Sequence, residues 1–328
     1  MIEFWATVLA LAILLYVTLD GFDLGVGMLF PFAPDEAGRR QMLASISPVW
    51  DGNETWLVVA AATLFGAFPL VYSILLSAFY LPLLVMLAGL ILRGVAFEFR
   101  YKTERFRWVW DAGFVAGSYA AAFIQGTAVG AIVQGLPIEN GAYAGEPFAW
   151  ARPFALLCGV GLCIGYAMIG ACWIAGKAHG ELRTFAFGAL PRLLGALAAF
   201  LAVVFAWSLL IDLPVLQRWI ERPLLLLCPA VGLGAFIMLM RSVRRGDDRR
   251  LFLAGAAIFA AAFATLAGSF LPYILPFSLT LRQAAAPEAS LDFLFWGAGL
   301  FVLPLTLAYT AAVYVIFRGR VRADQGYH

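Results

Sequence analysis

Long apolar runs separated by short polar connections dominate the pattern of hydrophobic and polar positions along this chain. A membrane-spanning helix needs about 20 apolar residues to cross about 30 Å of hydrocarbon. Nine runs are long enough: 4–30, 53–75, 77–97, 111–135, 150–175, 186–211, 222–240, 250–272 and 292–317. The segment from Pro69 to Ser77 separates the second run from the third only weakly. The pattern predicts an all-α integral membrane protein with nine transmembrane helices, forming one polytopic domain over residues 1–328.

The composition excludes the main classes of soluble protein. Of the 328 residues, 63% are hydrophobic and 13% are charged, whereas a typical soluble domain is about half apolar and about a quarter charged. So few polar side chains could not cover the surface of a water-soluble protein of this length. Soluble enzymes, nucleic-acid-binding proteins and secreted disulfide scaffolds are therefore set aside. The formal net charge of +2 is too small to indicate an anionic partner.

The lysines and arginines are distributed unevenly between alternate connections. Of the 22 cationic residues, 17 fall in the odd-numbered connections and the C-terminal tail, and three fall in the even-numbered connections. The other two, Arg93 and Arg152, lie within or at the edge of predicted spans. Because cationic residues accumulate in cytoplasmic loops, this asymmetry predicts an N-terminus outside the cell and a C-terminus in the cytoplasm.

Cysteine and histidine give little support for a metal centre in this chain. The cysteines lie in apolar runs without a C-x-x-C pair, which favours buried small side chains over a metal site or disulfide: Cys158, Cys163, Cys172 and Cys228. His179 lies in a polar connection and His328 is the last residue. Since histidine is the usual ligand of a membrane heme, we expect this chain to ligate no metal and no histidine-bound heme.

Two aspartates occur inside the first predicted span. A carboxylate at the centre of a membrane helix costs about 2.5–3.5 kcal/mol on insertion scales, so such residues are candidates for function. Asp20 and Asp23 are three residues apart and share one helix face. Asp20 follows Phe4 by 16 residues, or about 24 Å of helix. If the chain starts outside, both aspartates lie in the inner leaflet.

A second acidic pair, Asp51 and Glu54, opens the second predicted span with the same spacing. That span begins at the predicted cytoplasmic surface, so all four carboxylates are expected near the inner mouth of the helix bundle. Coupled carboxylates at such a position can take up protons and pass them on. The sequence therefore predicts a proton pathway through Asp20, Asp23, Asp51 and Glu54.

Structural roles for the same residues remain open. Asp51 could cap the second helix, since Asp favours that position, and capping is compatible with a functional role. Asp20 and Asp23 could instead form ion pairs, and their candidate partners are Arg39, Arg40 and Arg93.

The third predicted span has its own charged and aromatic neighbours. Arg93 and Glu98 could reach the membrane interface or pair with each other. The tryptophans near the ends of the first two spans are interpreted as interfacial anchors: Trp5, Trp50 and Trp56.

Five motifs carry a family resemblance that extends over nearly the whole chain. They are Asp20-Gly-Phe-Asp23-Leu-Gly25-Val-Gly27, Pro48-Val-Trp50-Asp51-Gly-Asn53-Glu54-Thr-Trp56-Leu, Leu92-Arg93-Gly-Val-Ala-Phe97-Glu98-Phe-Arg100, Phe270-Leu-Pro272-Tyr-Ile-Leu-Pro276 and Leu303-Pro304-Leu-Thr306-Leu-Ala-Tyr309-Thr310. With these motifs the chain resembles subunit II of the cytochrome bd-type quinol oxidases, and the cyanide-insensitive branch of that family is similar too.

The resemblance implies a terminal quinol oxidase in the bacterial cytoplasmic (inner) membrane. Family members are heterodimers of two nine-helix subunits. Subunit I binds two b-type hemes and one d-type heme, oxidises quinol and reduces dioxygen to water. The smaller subunit lies against the heme region, stabilises the complex and helps deliver cytoplasmic protons. A structural quinone in this subunit, found in some members, and a small accessory subunit are left open; membrane lipid is the remaining expected partner.

The resemblance also bears on individual residues. Asp20, Asp23 and Asp51 fall on motif positions, and we carry the proton-delivery role onto them. Members can have an amide at the position of Glu54, so the resemblance supports that residue less. The neighbouring motif residues are expected to support the pathway: Trp50, Asn53, Arg93 and Glu98.

Two other hypotheses remain at this point. In a stand-alone proton-coupled transporter, the same carboxylates would bind the coupling ion. Such transporters usually contain inverted repeats and broken helices, and no repeat is visible here. In a purely structural hypothesis, the acidic residues are assembly contacts with the partner subunit, and their substitution would cause loss of heme instead of loss of rate.

Overall fold

The computed structural model describes residues 1–103, 105–210 and 215–321, with side chains from residue 218 in the last range. His328 and the end of the predicted span at residue 211 lie outside these ranges. The α-helices are α1 (Ile2–Leu29), α2 (Glu36–Ile46), α3 (Trp50–Ala67), α4 (Pro69–Ala78), α5 (Tyr80–Arg100), α6 (Arg107–Val133), α7 (Pro153–Lys177), α8 (Gly180–Leu210), α9 (Val215–Glu221), α10 (Leu227–Arg245), α11 (Leu251–Phe270), α12 (Leu281–Ala284), α13 (Glu288–Leu294) and α14 (Val302–Ile316).

The described residues form a helical membrane architecture, as the hydrophobic pattern predicts. Eight helical segments are long and apolar enough to cross a membrane, and α3 with α4 would make a ninth if that bent pair forms one span. The eight are Ile2–Phe32, Tyr80–Arg100, Arg107–Val133, Pro153–Lys177, Gly180–Leu210, Pro223–Arg245, Leu251–Phe270 and Glu288–Ile316. The exact number of spans and the sides on which the termini lie stay predictions.

A sharp bend interrupts the second predicted span. Helix α3 ends at Ala67, α4 begins at Pro69, and their axes differ by 120°. Proline lacks a backbone N–H and disfavours helical geometry in the residue before it. Phe68 accordingly adopts φ −134° and ψ 57°. The predicted range 53–75 thus covers two helices that point in different directions.

Helix α1 crosses α7 at very short distance because both helices carry glycine at the contact. A Cβ atom added to Gly25 would lie 1.8 Å from the backbone oxygen of Tyr166, and one added to Gly170 would lie 2.5 Å from the carbonyl carbon of Gly25. Only residues without a Cβ allow this approach. The second half of α1, which carries the aspartates, is buried.

Aromatic packing fixes the same half of α1 against the bundle. The ring of Phe22 stacks on Trp173 of α7 with centroids 4.1 Å apart, and Phe252 of α11 meets Phe22 edge-on at 5.3 Å. Phe22 is fully buried. Because Phe22 lies between Asp20 and Asp23 in sequence, its packing holds the α1 backbone that presents the two carboxylates.

Two short antiparallel hairpins lie in the long connections. The first pairs Ile138–Glu139 with Ala142–Tyr143, and its turn residues Asn140 and Gly141 have φ of 50° and 77°. Positive φ at both central positions suits the tight two-residue turn of a hairpin. The second hairpin pairs Tyr273–Leu275 with Leu279–Thr280.

Candidate functional site

Both aspartates of the first motif are fully buried inside the helix bundle. Asp20 and Asp23 have 0% exposure and lie in the interior of α1, which continues for six residues beyond Asp23. A buried carboxylate requires a charged or hydrogen-bonding partner. Capping cannot supply it, because neither residue is at a helix end.

The partner of these carboxylates is Arg93 of α5, which is 1% exposed. Its Nη1 donates to Oδ1 of Asp20 over 2.9 Å, and Nη2 lies 3.9 Å from Oδ2 of Asp23. Glu54 of α3 approaches the same guanidinium, with Oε2 3.8 Å from Nη1. We call Asp20, Asp23, Glu54 and Arg93 the charge cluster. The structure thus brings together three of the four predicted proton-pathway residues and selects Arg93 among the candidate cations.

Asn53 connects the charge cluster to the last helix. Its Nδ2 donates to Oδ2 of Asp23 over 2.7 Å and lies 3.3 Å from the backbone oxygen of Leu19. Its Oδ1 accepts from the hydroxyl of Tyr314 over 2.9 Å. The oxygen and the nitrogen of the Asn53 amide therefore both form hydrogen bonds, and through them Asn53 connects α1, α3 and α14. Helix α14, through Tyr314, contributes to the site.

The carboxylates of α3 are more accessible than those of α1. The side chain of Glu54 is 28% exposed, and Asp51 is exposed and stays outside the ion pairs of Arg93. The N-cap of α3 is Val49, which provides no side-chain cap, so the alternative in which Asp51 caps the helix does not hold. A carboxylate in the first turn still interacts favourably with the helix dipole.

Trp50 and Glu98, the other residues predicted to support the pathway, differ in their relation to Arg93. The indole of Trp50 lies over Arg93, with the guanidinium carbon 6.0 Å from the ring centroid. Trp50 therefore helps shield the cation and does not act only as an interfacial anchor. Glu98 is half-buried and outside the ion pairs of Arg93, so the alternative of an Arg93–Glu98 pair does not hold.

Two tryptophans predicted as interfacial anchors are instead buried. The ring nitrogen of Trp56 donates to the Thr310 hydroxyl over 3.3 Å, and that of Trp5 donates to the backbone oxygen of Leu291 over 3.1 Å. Both bonds tie the N-terminal helices to the C-terminal part of the chain.

A hydrogen-bonded chain of three side chains borders the charge cluster and is missed by the motif analysis. The Tyr166 hydroxyl donates to Oε1 of Gln125 over 2.8 Å, and Nε2 of Gln125 lies 2.7 Å from the Tyr16 hydroxyl. Tyr16 precedes Asp20 by four residues and so shares its helix face. A search for polar residues one helical turn from Asp20 would find Tyr16. Gln125 and Tyr166 are recognisable only from the packing of α6 and α7.

A second ionic network lies near the ends of α2, α5 and α6. Arg100 donates to Oε1 of Glu36 over 2.9 Å and to Oδ1 of Asp111 over 2.5 Å. Asp111 also pairs with Arg39 at 3.6 Å. Arg39, a candidate partner for the aspartates of α1, is therefore engaged elsewhere, and this network ties three helices together.

The charge cluster contains more acidic than basic side chains. One guanidinium neutralises one carboxylate, so the three carboxylates exceed the available positive charge. Within the charge cluster, three buried polar atoms have no hydrogen-bond partner: Oδ2 of Asp20, Oδ1 of Asp23 and Nη2 of Arg93. Across the described ranges, no three His, Cys, Asp or Glu side chains come together as a group that could hold a metal ion.

Comparison with known proteins assigns the chain to a family. The model of the family described as cytochrome bd terminal oxidase subunit II matches residues 1–317. The chain is 32% identical to the probable cytochrome oxidase subunit 2 of Haemophilus influenzae, with 98% of this chain and 94% of that protein covered. It is 30% identical to the cytochrome bd-I ubiquinol oxidase subunit 2 of Escherichia coli strain K12, with 98% and 95% covered.

A more distant relative agrees with this assignment, and a solved structure has a similar fold. The cytochrome bd ubiquinol oxidase subunit 2 of Bacillus subtilis is 28% identical, with 97% of this chain and 96% of that protein covered. The fold resembles a chain in the structure of the bd oxidase from Geobacillus thermodenitrificans, with a TM-score of 0.73, 18% identity and coverage of 95% and 98%. These comparisons give no support to the transporter hypothesis. The chain belongs to the cytochrome bd terminal oxidase subunit II family.

Proposed function

We propose that this chain delivers cytoplasmic protons to a partner subunit in which quinol is oxidised and dioxygen is reduced to water. As a member of its family, the chain is a multi-pass subunit of a bacterial inner-membrane quinol oxidase complex. In the proposed assembly, a subunit I carries the b-type and d-type hemes. Protons enter beside Asp51 and Glu54 and reach Asp20 and Asp23.

The observation that carries this proposal is the gradient of burial along the four carboxylates. Asp51 is exposed, Glu54 is 28% exposed, and Asp20 and Asp23 are fully buried. Asp51 and Glu54 share one face of α3, one turn apart, and Glu54 approaches the same guanidinium as Asp20. Carboxylates are thus spaced from the surface of the chain to its interior, as a route for protons requires.

The ion pair of Asp20 is compatible with such a route. Because Arg93 neutralises one negative charge, binding of a proton at one carboxylate lets the guanidinium shift its interaction towards another. Arg93 is within 4 Å of three carboxylates at once. The structure therefore contains a cation that can stabilise the remaining charge at any of the three positions.

Among the residues that the structure describes, no histidine lies within a membrane-spanning helix. Histidine is the usual axial ligand of a membrane heme, and the histidine that the structure describes, His179, lies in the connection after α7. When bound in the complex, the hemes supply the redox chemistry of dioxygen reduction. This chain's residues are assigned only the binding and transfer of protons.

Substitution of two carboxylates tests the proposal in the purified oxidase complex. Asp20→Asn and Asp51→Asn should lower quinol-dependent oxygen consumption per heme while the heme content stays unchanged. The loss should be larger for Asp20→Asn, because water can replace an exposed carboxylate more easily than a buried one. The matched control is Asp292→Asn, an exposed carboxylate of α13.

Two outcomes would count against the proposal. Wild-type rates in both Asp20→Asn and Asp51→Asn would show that the carboxylates carry no protons needed for turnover. Loss of heme from the complex, with normal turnover per remaining heme, would instead identify the carboxylates as assembly contacts.

A further inference from the structure

A groove with a volume of about 400 Å³ lies between the segment that follows α1, helix α2 and the first turns of α6. Most of its wall is apolar and is formed by Phe30, Pro31, Trp108, Ala112, Val115 and Ala116. Two charged side chains, Arg39 and Asp111, complete the lining. In such sites apolar contacts hold the ligand and a few polar groups fix its orientation. A ligand that suits this groove therefore has a long apolar part and a small charged part.

The apolar wall extends along one face of α6 towards the middle of that helix. Trp108, Ala112 and Ala116 are exposed and follow one another at intervals of four residues, so they form a stripe on this face. A second groove, of about 450 Å³, continues the stripe between α6 and α7 and is lined by Tyr119, Ala120, Phe123, Val160 and Cys163. From Trp108 to Phe123 the helix rises about 22 Å, whereas one leaflet contributes about 15 Å of hydrocarbon. The stripe is long enough to receive an alkyl chain that spans one leaflet.

The two charged residues of the first groove have opposite signs and are incompletely paired. Nη1 of Arg39 lies 3.6 Å from Oδ2 of Asp111, which is beyond hydrogen-bond distance. The other oxygen of Asp111, Oδ1, accepts from Arg100 over 2.5 Å. The side chains of Arg39 and Asp111 are 35% and 19% exposed, so both can be reached from the groove. Arg39 can therefore donate to an anionic group while Oδ2 of Asp111 accepts from a cationic one.

A zwitterionic phospholipid headgroup matches this pair of charges. The phosphate of phosphatidylethanolamine is an acceptor that arginine binds well, and an ammonium group has three N–H donors for a carboxylate. An anionic phospholipid would bring a phosphate close to Asp111 with no cation of its own to offset the repulsion. A choline headgroup has a cation but no N–H donor. The opposite charges of Arg39 and Asp111 therefore favour ethanolamine over both alternatives.

We propose that this groove binds a phosphatidylethanolamine molecule of the inner leaflet, with its phosphate at Arg39, its ammonium group at Asp111 and an alkyl chain along α6. The distribution of cationic residues predicts that this end of α6 is cytoplasmic. The exposed indole of Trp108 suits this depth, since tryptophan is common at the level of the headgroups. The bound lipid links α2 to α6, and its binding is independent of proton transfer in the charge cluster.

The experiment measures phospholipid binding to the delipidated, purified oxidase complex by native mass spectrometry. The complex is titrated separately with phosphatidylethanolamine, phosphatidylglycerol and phosphatidylcholine that have the same alkyl chains. We expect one phosphatidylethanolamine molecule to bind about tenfold more tightly than either of the others, which corresponds to one hydrogen bond between charged groups. Variants of this chain then assign that molecule to the groove.

Two substitutions test the two charges separately. Arg39→Gln should weaken binding of phosphatidylethanolamine about tenfold, because it removes the contact with the phosphate. Asp111→Asn should reduce the affinity for phosphatidylethanolamine to that for phosphatidylglycerol, because an amide does not attract the ammonium group. The matched controls are Arg40→Gln and Asp35→Asn, which remove the same charges from exposed positions outside the lining of the groove. Both controls should bind lipid as the wild type does.

A third substitution tests the apolar stripe without changing any charge. Ala116→Phe fills part of the groove and should weaken binding of phosphatidylethanolamine. Val129→Phe, at an exposed position of the same helix outside the lining of both grooves, should not. The heme content of every variant complex is measured as well, so that lost lipid binding is distinguished from failed assembly.

Four outcomes would overturn the proposal. Equal losses in Arg39→Gln and Arg40→Gln would show general attraction to a charged surface instead of a site. An Asp111→Asn complex that keeps the wild-type preference for ethanolamine would show that the carboxylate does not bind the headgroup. Tighter binding of phosphatidylglycerol to the wild type would identify an anionic lipid as the occupant. Loss of bound quinone, with no loss of phospholipid, in Arg39→Gln would identify the groove as a quinone site. If Asp111→Asn fails to assemble, the wild-type titrations and the comparison of Arg39→Gln with Arg40→Gln decide.

Discussion

Arg93 donates from Nη1 to Oδ1 of Asp20 over 2.9 Å, and neither residue is more than 1% exposed. The pair joins α5 to α1 inside the bundle. Removing one member of a buried ion pair leaves an uncompensated charge and costs about 3–5 kcal/mol. In the charge cluster, loss of Arg93 should cost more free energy of unfolding than loss of one carboxylate, because Arg93 is the cation near all three carboxylates.

Arg93→Gln should therefore destabilise the protein by about 3–5 kcal/mol and lower the yield of assembled complex. Asp20→Asn should cost less, since Arg93 keeps Asp23 and Glu54 as neighbours. Thermal inactivation of the complex measures both effects. Arg241→Gln, at an exposed arginine of α10, is the control. Equal thermal stability of Arg93→Gln and Arg241→Gln would contradict the assigned importance of the buried pair.

Tyr314→Phe should weaken the link between α14 and the charge cluster by about 1 kcal/mol, because it removes a single hydrogen bond to Asn53. Asn53→Leu should cost more, since it also leaves Asp23 without its donor. The variants are ranked by the detergent concentration or the temperature at which the complex unfolds. Tyr309→Phe, at an exposed tyrosine of the same helix, should resemble wild type. An Asn53→Leu variant as stable as Tyr314→Phe would show that Asp23 does not depend on the amide.

Spacing along the chain predicted part of this site because the relevant residues are close in sequence. Asp20 with Asp23 and Asp51 with Glu54 follow the three-residue periodicity of a helix face, and the buried aspartates are unusual in an apolar run. Arg93 was one of three candidate cations. The structure selects it because α5 places it within the bundle.

Contacts between distant segments could not be predicted in this way. Tyr314 reaches Asn53 across 261 positions of sequence, and Trp56 reaches Thr310 across 254. No local pattern indicates which face of α14 meets α3. The bend at Phe68 has a local cause in Pro69, but no local pattern specifies its angle of 120°.

Gly25→Ala should disrupt the crossing of α1 and α7. The added methyl group would lie 1.8 Å from the backbone oxygen of Tyr166, and since that atom cannot rotate away, the helices must separate. We expect a loss of about 3 kcal/mol or more and a reduced yield of assembled oxidase. Gly176→Ala in α7, where an added Cβ meets nothing within 4 Å, is the control. If both variants assemble equally well, the close crossing is not needed for the fold.

The connection between α10 and α11 holds the segment that follows α14 through an ion-pair network that depends on pH. Asp248 accepts from both Arg183, at 3.3 Å, and Arg320. Partial burial acts to raise the pKa of Asp248, but the hydrogen bonds and charges of Arg320 and Arg183 outweigh it and lower the pKa below its usual value. The same segment is also held by Lys177, whose backbone oxygen accepts from Val321 at 3.0 Å.

A lowered pKa in the folded state means that Asp248 contributes stability above the pKa of the unfolded chain, about 3.9. That contribution is lost as the pH falls through the folded value. We therefore expect the backbone hydrogens of residues 317–321 to be protected near neutral pH, relative to the exchange rate of an unfolded chain at the same pH, and to lose this protection in strongly acidic solution. Asp248→Asn should give fast exchange already at neutral pH, whereas Asp247→Asn, next to it, should not. Slow exchange in Asp248→Asn at neutral pH would show that Lys177 alone holds the segment.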